Sequence, residues 1–424
     1  MFKNINCKNL PSLRRNIVYQ FLYELLIVFI PLFTIPYVSR VLGAENIGLF
    51  SYTYAVANYF VLFANLGIKN YGSRTIAMVR NNKEELNRNF SEILSIHIIF
   101  SIIVIFVYLV LLFFFVEDNL VIFLIQSIYV FAAVFDINWF FFGIEKFKLT
   151  VGRNTLVKIL SVFLVLVFVK TQTDLWIYAL ILALSVFVGQ SVVWFALKQY
   201  VSWRRPSWAN MKQHIRPLFV LFLPILALSL YKYMDKIMLG SISSNVQVGF
   251  YENAEKIINV PMSLIMAFGV VLMPRIANMV TSKDKGEVFK LIDMSMEAVM
   301  LLAIAISFGL AGISFVLAPI FFGYEFEECG ILIMGLAVTV PFMAFANVIR
   351  TQYLIPYKED KIFVVSLFLG AAVNLIVNII LIPYMAARGA VIGTIFAEII
   401  VCIYQSYFVR KKIFIKKYLL NTIP

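Results

Sequence analysis

The sequence predicts an all-α integral membrane protein with twelve transmembrane helices, and three observations lead there. Of its 424 residues, 62% are hydrophobic and 14% charged, whereas a soluble domain has roughly 45–50% apolar and about 25% charged residues. The apolar residues fall in runs that can cross a bilayer, for which about 20 residues suffice. The basic residues occupy alternate loops, the pattern that orients membrane proteins. With no water in the hydrocarbon, each segment must satisfy its own backbone, which requires helix. The runs also lack the alternation of a barrel strand.

Apolar runs between charged breaks place the spans at 17–38, 47–68, 93–116, 120–143, 151–169, 175–197, 217–239, 250–273, 294–317, 329–354, 362–382 and 389–409. Thirty of the 36 Lys and Arg lie in the N-terminal segment, in every second loop after it and in the C-terminal tail. The opposite loops hold only Arg40, Lys170 and Arg388, with acids such as Glu117, Asp118, Glu325, Glu327 and Glu328. Both termini are therefore expected in the cytoplasm. The net charge of +13 reads as this orientation signal, and no nucleic-acid partner is expected. Cys7, Cys329 and Cys402 have no paired spacing, so no disulfide framework is expected. His97 and His214 stand alone, and neither a metal site nor a cofactor is expected. No Walker-type phosphate loop occurs, which argues against ATP hydrolysis by this chain.

The loop KQYVSWRRPSWANMKQHIRP after span six divides the chain into an N-terminal half, 1–205, and a C-terminal half, 206–424. The halves resemble each other. Gly48, Asn58 and Arg74 recur as Gly249, Asn259 and Arg275, each at an offset of 201. Six spans per half is an even number, so both halves share one orientation and form a parallel repeat about an axis along the membrane normal.

RVLGAENIGLFSYTYAVANYF followed by NLGIKNYGSRTIA resembles the first hairpin of the polysaccharide flippases (Wzx type) of the MOP superfamily. GAAVNLIVNIILIP followed by RGAVIGTIFAEII resembles their spans eleven and twelve, and WFFFGIEKFK and QYLIPYKEDK match the cytoplasmic ends of spans four and ten. The sequence departs from the pattern at LIPYMAARGA, where the family usually has a glycine soon after Pro-x-Tyr. The resemblance implies two six-helix lobes around a central cavity, as in MATE-like transporters. It implies movement of an undecaprenyl-pyrophosphate-linked oligosaccharide from the inner to the outer leaflet of the bacterial cytoplasmic membrane, for O-antigen, capsule or another surface polysaccharide. The implied partners are that lipid carrier, the bilayer and the polysaccharide polymerase machinery.

Span seven contains LALSLYKYMDKIMLG, whose Lys232, Asp235 and Lys236 share one helix face by their i, i+3, i+4 spacing. Glu252, Glu255 and Lys256 repeat that spacing in span eight. A charge at the bilayer centre costs roughly 2.5–3.5 kcal/mol on insertion scales, so these groups should face a hydrated interior. Two readings stay open: a salt-bridged fastening of spans seven and eight, or a polar cavity wall whose lysines attract the diphosphate or the sugar. Asp235 is expected to pair with one of the lysines. Arg40, at the outer end of span one, is a candidate substrate contact or an end-of-helix cation. Arg350, near the inner end of span ten, can reach a phosphate or snorkel. Glu24, Asp136 and Glu398 are candidates for a coupling proton or sodium ion, or for hydrogen bonds to neighbouring helices. Asn374 and Asn378, four apart on span eleven, read as interhelical packing.

A multidrug-type exporter on the same fold is the alternative function. A membrane polymerase or glycosyltransferase using the same carrier fits less well, because every outer connection is about a dozen residues or fewer, too short for a catalytic outer loop. The resemblance implies a transporter rather than an enzyme. The partition of cations predicts the topology directly. Reporter fusions at Asn82, Trp208 and Lys411 should read cytoplasmic, and fusions at Asn119 and Ser243 external; an external signal at Trp208 would overturn the parallel repeat.

Overall fold

The structure, a computed structural model, describes residues 10–281 and 285–410, and every regular element among them is helical. Helix α1 (Leu10–Asn65) is 56 residues long and broken at Gly43, whose φ of 77° and ψ of 172° are open to glycine. At 1.5 Å per residue, the part on either side of Gly43 is long enough to cross the ~30 Å hydrocarbon core. The first two expected spans are thus two helices that meet at the kink of Gly43. Among the described residues, eleven helical stretches are long and apolar enough to cross a membrane, and the first, Ile30–Val79, contains that break. The count therefore agrees with twelve spans. Phe113, Phe114 and Phe115 are 69%, 78% and 79% exposed, an apolar surface suited to lipid rather than water.

After α2 (Ile68–Val79), helix α3 runs Lys83–Phe115. It begins ten residues before the expected span because Asn82 caps it, its side chain accepting the N–H groups of Glu84 (3.1 Å) and Glu85 (3.3 Å). Hydropathy marks the bilayer and not the end of the helix, so polar first turns escape it. Expected span four is two pieces, α4 (Leu120–Val134) and α5 (Asn138–Gly143), interrupted around Asp136. The chain continues through α6 (Phe147–Phe168), α7 (Leu175–Leu197), α8 (Trp208–Ile242), α9 (Asn245–Thr281) and α10 (Lys285–Phe322). Then come α11 (Cys329–Ala337), α12 (Thr339–Val348), a π-helical turn at Ile349–Leu354, α13 (Asp360–Met385) and α14 (Ala387–Val409).

Packing divides the chain into two compact units. One takes residues up to Val41 and Thr53–Leu226, the other Leu42–Tyr52 and everything from Ala227. These limits do not coincide with the sequence repeat at 205/206, because α8 continues past that loop and Leu42–Tyr52 packs with the later helices. The core of the first unit is built on the WFFFG motif. Trp139 stacks on Phe90 with ring centroids 5.6 Å apart, and Phe140 and Phe141 are fully buried. Gly72 leaves room for the Trp139 ring, which an added Cβ would approach to 2.5 Å.

In the second unit the repeat becomes a contact. A Cβ on Gly48 would lie 1.6 Å from the Asn245 carbonyl oxygen, and one on Gly249 would lie 2.0 Å from that of Ala44. Asn245 is Ala44 displaced by 201 positions, as Gly249 is Gly48, so the contact is reciprocal, as across a twofold axis. Beside it, Glu325 Oε1 accepts the Ala44 N–H at 2.9 Å, meeting a donor freed by the break at Gly43.

The departure at LIPYMAARGA also has a structural counterpart. The turn between α13 and α14 rests on Ala386, whose φ of 48° and ψ of −126° form a left-handed-side conformation costly for a residue with a Cβ.

Two outcomes follow from this packing. Gly249→Ala, which drives a Cβ into backbone, should lower the yield of monodisperse protein severalfold in fluorescence-detected size exclusion, in line with the ~1–3 kcal/mol of overpacking. Gly309→Ala, with nothing within 4 Å, should not, and equal yields would refute the close crossing. Ala386→Gly should raise the midpoint of thermal unfolding, since relief of strain at such a residue is worth about 1–3 kcal/mol; a lowered midpoint would contradict the strained turn.

Candidate functional site

The charges of α8 separate into three environments within the second unit. Lys236 turns to α9, where its Nζ meets Glu252 Oε2 at 2.5 Å and Glu255 Oε2 at 2.8 Å. Lys256 joins from the same helix, 3.1 Å from Glu252 Oε1. Two cations and two carboxylates thus form a neutral knot between α8 and α9. Taking each ion out of water costs several kcal/mol, which only close opposite charges offset.

Asp235 does not pair with a lysine as expected. It is buried at 4% exposure and is satisfied by neutral donors from three other helices. Tyr251 of α9 and Thr394 of α14 donate their hydroxyls to Oδ2 at 2.6 and 3.1 Å. Asn378 of α13 donates its amide to Oδ1 at 2.5 Å and also to Asn374 Oδ1 at 3.1 Å. Gly393 makes room, since a Cβ there would lie within 2.2 Å of Asn378 Oδ1. The motifs GAAVNLIVNIILIP and RGAVIGTIFAEII therefore supply the surroundings of one carboxylate.

Lys232, a turn before Lys236, opens on a cavity of about 520 Å³ whose wall also includes Asp235, Tyr251, Glu255, Arg350 and Glu398. Its Nζ lies over the Tyr233 ring, 5.3 Å from the centroid. The Arg350 guanidinium lies 4.9 Å from the centroid of Phe363. Arg350 stands in the π-helical turn, a local widening often found at functional positions. Among the described residues neither cation has an ion-paired carboxylate, so both can meet an anion in the cavity.

The remaining candidates belong to the first unit. Arg40 is exposed on α1, in the first unit. Glu24 lies outside the residues whose side chains are described. Asp136 accepts the backbone N–H of Asn138 at 3.0 Å and its amide at 2.6 Å. Arg153 donates to Asn138 Oδ1 at 3.0 Å and to the Gly189 carbonyl at 2.6 Å, so Asp136 ends a polar network joining α5, α6 and α7. Sequence reading missed a buried relay in the same unit. His214 accepts or donates at Nδ1 with the Tyr71 hydroxyl (2.6 Å) and at Nε2 with Glu92 Oε2 (2.8 Å). Its members are too far apart in sequence for any local spacing to connect them. Tyr251 and Thr394 were missed for the same reason.

Similarity to known proteins agrees with this architecture. A "Putative O-antigen transporter" of Shigella dysenteriae is 24% identical over 93% of this chain and 99% of its own length. Among solved structures, "Lipid II flippase MurJ, inward closed conformation" superposes with a TM-score of 0.73 at 16% identity, covering 95% of this chain and 89% of that one. An inward-facing multidrug resistance MATE family transporter of the MOP superfamily superposes at 0.69 with 14% identity, covering 95% of this chain and 99% of that one. The fold is therefore that of the MOP superfamily. The family model described as "Polysaccharide biosynthesis protein" matches residues 13–280, more than half of the sequence, and the chain belongs to that family.

Proposed function

We propose that the chain is a flippase that carries an undecaprenyl-pyrophosphate-linked oligosaccharide across the bacterial cytoplasmic membrane for surface polysaccharide biosynthesis. The observation that carries this reading, beside family membership, is the cavity wall bearing two cations, Lys232 and Arg350, that have no carboxylate partner among the described residues. A diphosphate headgroup is a match for such a wall, because attraction between charges strengthens as water is excluded. Asp235, Glu255 and Glu398 on the same wall temper that attraction, and a transporter must release what it binds. Alternating access would come from motion between the six-helix lobes 1–205 and 206–424, with both termini in the cytoplasm. Glu398 and Asp136 are the candidates for an ion that drives the cycle, with Glu24 as a third. The names of the relatives, transporters and flippases, support transport rather than catalysis. The multidrug exporter is the second reading because the MATE fold is shared; membership of the polysaccharide family favours the first.

The three charges of α8 should behave differently. Lys232→Ala should lower export of glycan to the surface by about tenfold, equivalent to ~1.4 kcal/mol, at normal abundance in the membrane, and Lys232→Arg should keep part of the activity. Lys236→Ala leaves Glu255 without an ion partner and Glu252 with Lys256 alone, a loss of about 3–5 kcal/mol, and should act by reducing abundance. Normal glycan display from well-expressed Lys232→Ala, measured beside a drug-efflux assay, would sink the flippase reading of this cavity.

A further inference from the structure

We propose that the linker between the two halves carries a binding surface for anionic phospholipids of the cytoplasmic leaflet, formed by Trp203, Arg205, Lys212 and Arg216; this rests on the orientation proposed above. From Lys198 to Arg216 the chain contains five Lys and Arg and no Asp or Glu. Glu84 of α3 takes one of them, Arg204, at 3.2 Å. Among the described residues none of the other four has an ion-paired carboxylate. Trp203, between the buried Val201 and Arg205, is 54% exposed, and Arg205 is exposed beside it.

The linker is fastened to the first unit along its length. Tyr200 packs on Phe141 with ring centroids 5.9 Å apart, and Lys146 lies over its ring at 5.8 Å. The Ser202 N–H donates to Asn87 Oδ1 at 3.0 Å, and the Arg204 N–H donates to Ser91 Oγ at 2.9 Å. Further on, Met211, His214 and Leu218 are buried, which turns the opposite face of α8 outward. Lys212 and Arg216, four apart, share that outer face and are exposed.

Depth follows from the helices that hold these residues. Span three is expected to begin at residue 93, so at 1.5 Å per residue Ser91 and Asn87 stand at most about 3 and 9 Å outside the hydrocarbon. The headgroup layer on each side is about 5–7 Å thick. Trp203, pinned between those two points, lies at headgroup level. Arg216 and Lys212 precede Pro217, the expected start of span seven, by at most about 2 and 8 Å. An indole, apolar with one polar N–H, is suited to that layer. Clustered cations immediately outside a span attract anionic lipids. An acidic protein would meet the same charges, but the depth and the exposed indole favour a lipid.

The test is native mass spectrometry of the full-length protein with dioleoyl phosphatidylglycerol and dioleoyl phosphatidylcholine, which differ only in the headgroup. Wild type should prefer phosphatidylglycerol by more than about tenfold. Arg205→Gln/Lys212→Gln should lose most of that preference, about fivefold per cation. Lys290→Gln/Lys361→Gln removes two exposed cations of the second unit from the same expected side, and should change it less than about twofold. Trp203→Ala should weaken both lipids severalfold, and Trp203→Phe less. Equal retention of the two lipids by wild type, or equal losses in the two double variants, would overturn the surface. Undiminished preference in Arg205→Gln/Lys212→Gln would also overturn it and leave an acidic protein as the partner of these cations. Binding in this assay is independent of orientation, which the fusion at Trp208 reads separately.

Discussion

A charged group in hydrocarbon has no water within reach, so its partners must come from the protein itself. Much of the second unit is organised by that constraint. Asp235 lies on α8, and its donors come from α9, α13 and α14. Satisfying one carboxylate therefore fixes the mutual placement of four helices. Apolar contacts alone provide less direction, because lipid tails compete equally well for an apolar helix face. Gly393 leaves the room that Asn378 and Asn374 occupy in these polar contacts.

The same constraint divides labour among neighbouring charges. Lys236 and Asp235 are adjacent in sequence yet serve different partnerships, one ionic with α9 and one through hydroxyls and amides. Their shells are filled. Among the described residues Lys232 and Arg350 are without ionic partners, and they border open volume. Saturated groups hold the scaffold and unsaturated ones are free to engage a ligand.

Much of the fold was legible in the sequence, because hydrophobic length and the distribution of Lys and Arg report on the bilayer without tertiary information. The charges at 232, 235, 236, 252, 255 and 256 were legible as unusual, and the ionic fastening of α8 to α9 was one of the readings their spacing left open. Partner identity was not legible. Asp235 finds Asn378 143 positions away and Thr394 159 away, and no local periodicity encodes such distances. The expected pairing of Asp235 with a lysine failed because one helical position decides whether a side chain faces α9 or the α13–α14 pair. The His214 relay escaped for the same reason, with Tyr71 and Glu92 on separate helices. The first two spans meet directly at the kink of Gly43.

The allocation of Leu42–Tyr52 to the second unit has a consequence for how the chain is made. That segment leaves the ribosome early, but Gly48 meets Gly249, and the Ala44 N–H meets Glu325, only once those residues exist. Elongation at about 5–20 residues per second puts roughly 15–60 s between the synthesis of Ala44 and that of Glu325. Over that interval the break at Gly43 keeps an unmatched backbone donor, and the glycine face of α1 has no mate. The early helices must be inserted and held in lipid with this seam open. The second unit therefore closes late, around a piece of chain delivered long before, and assembly in the membrane cannot be a simple succession of finished halves.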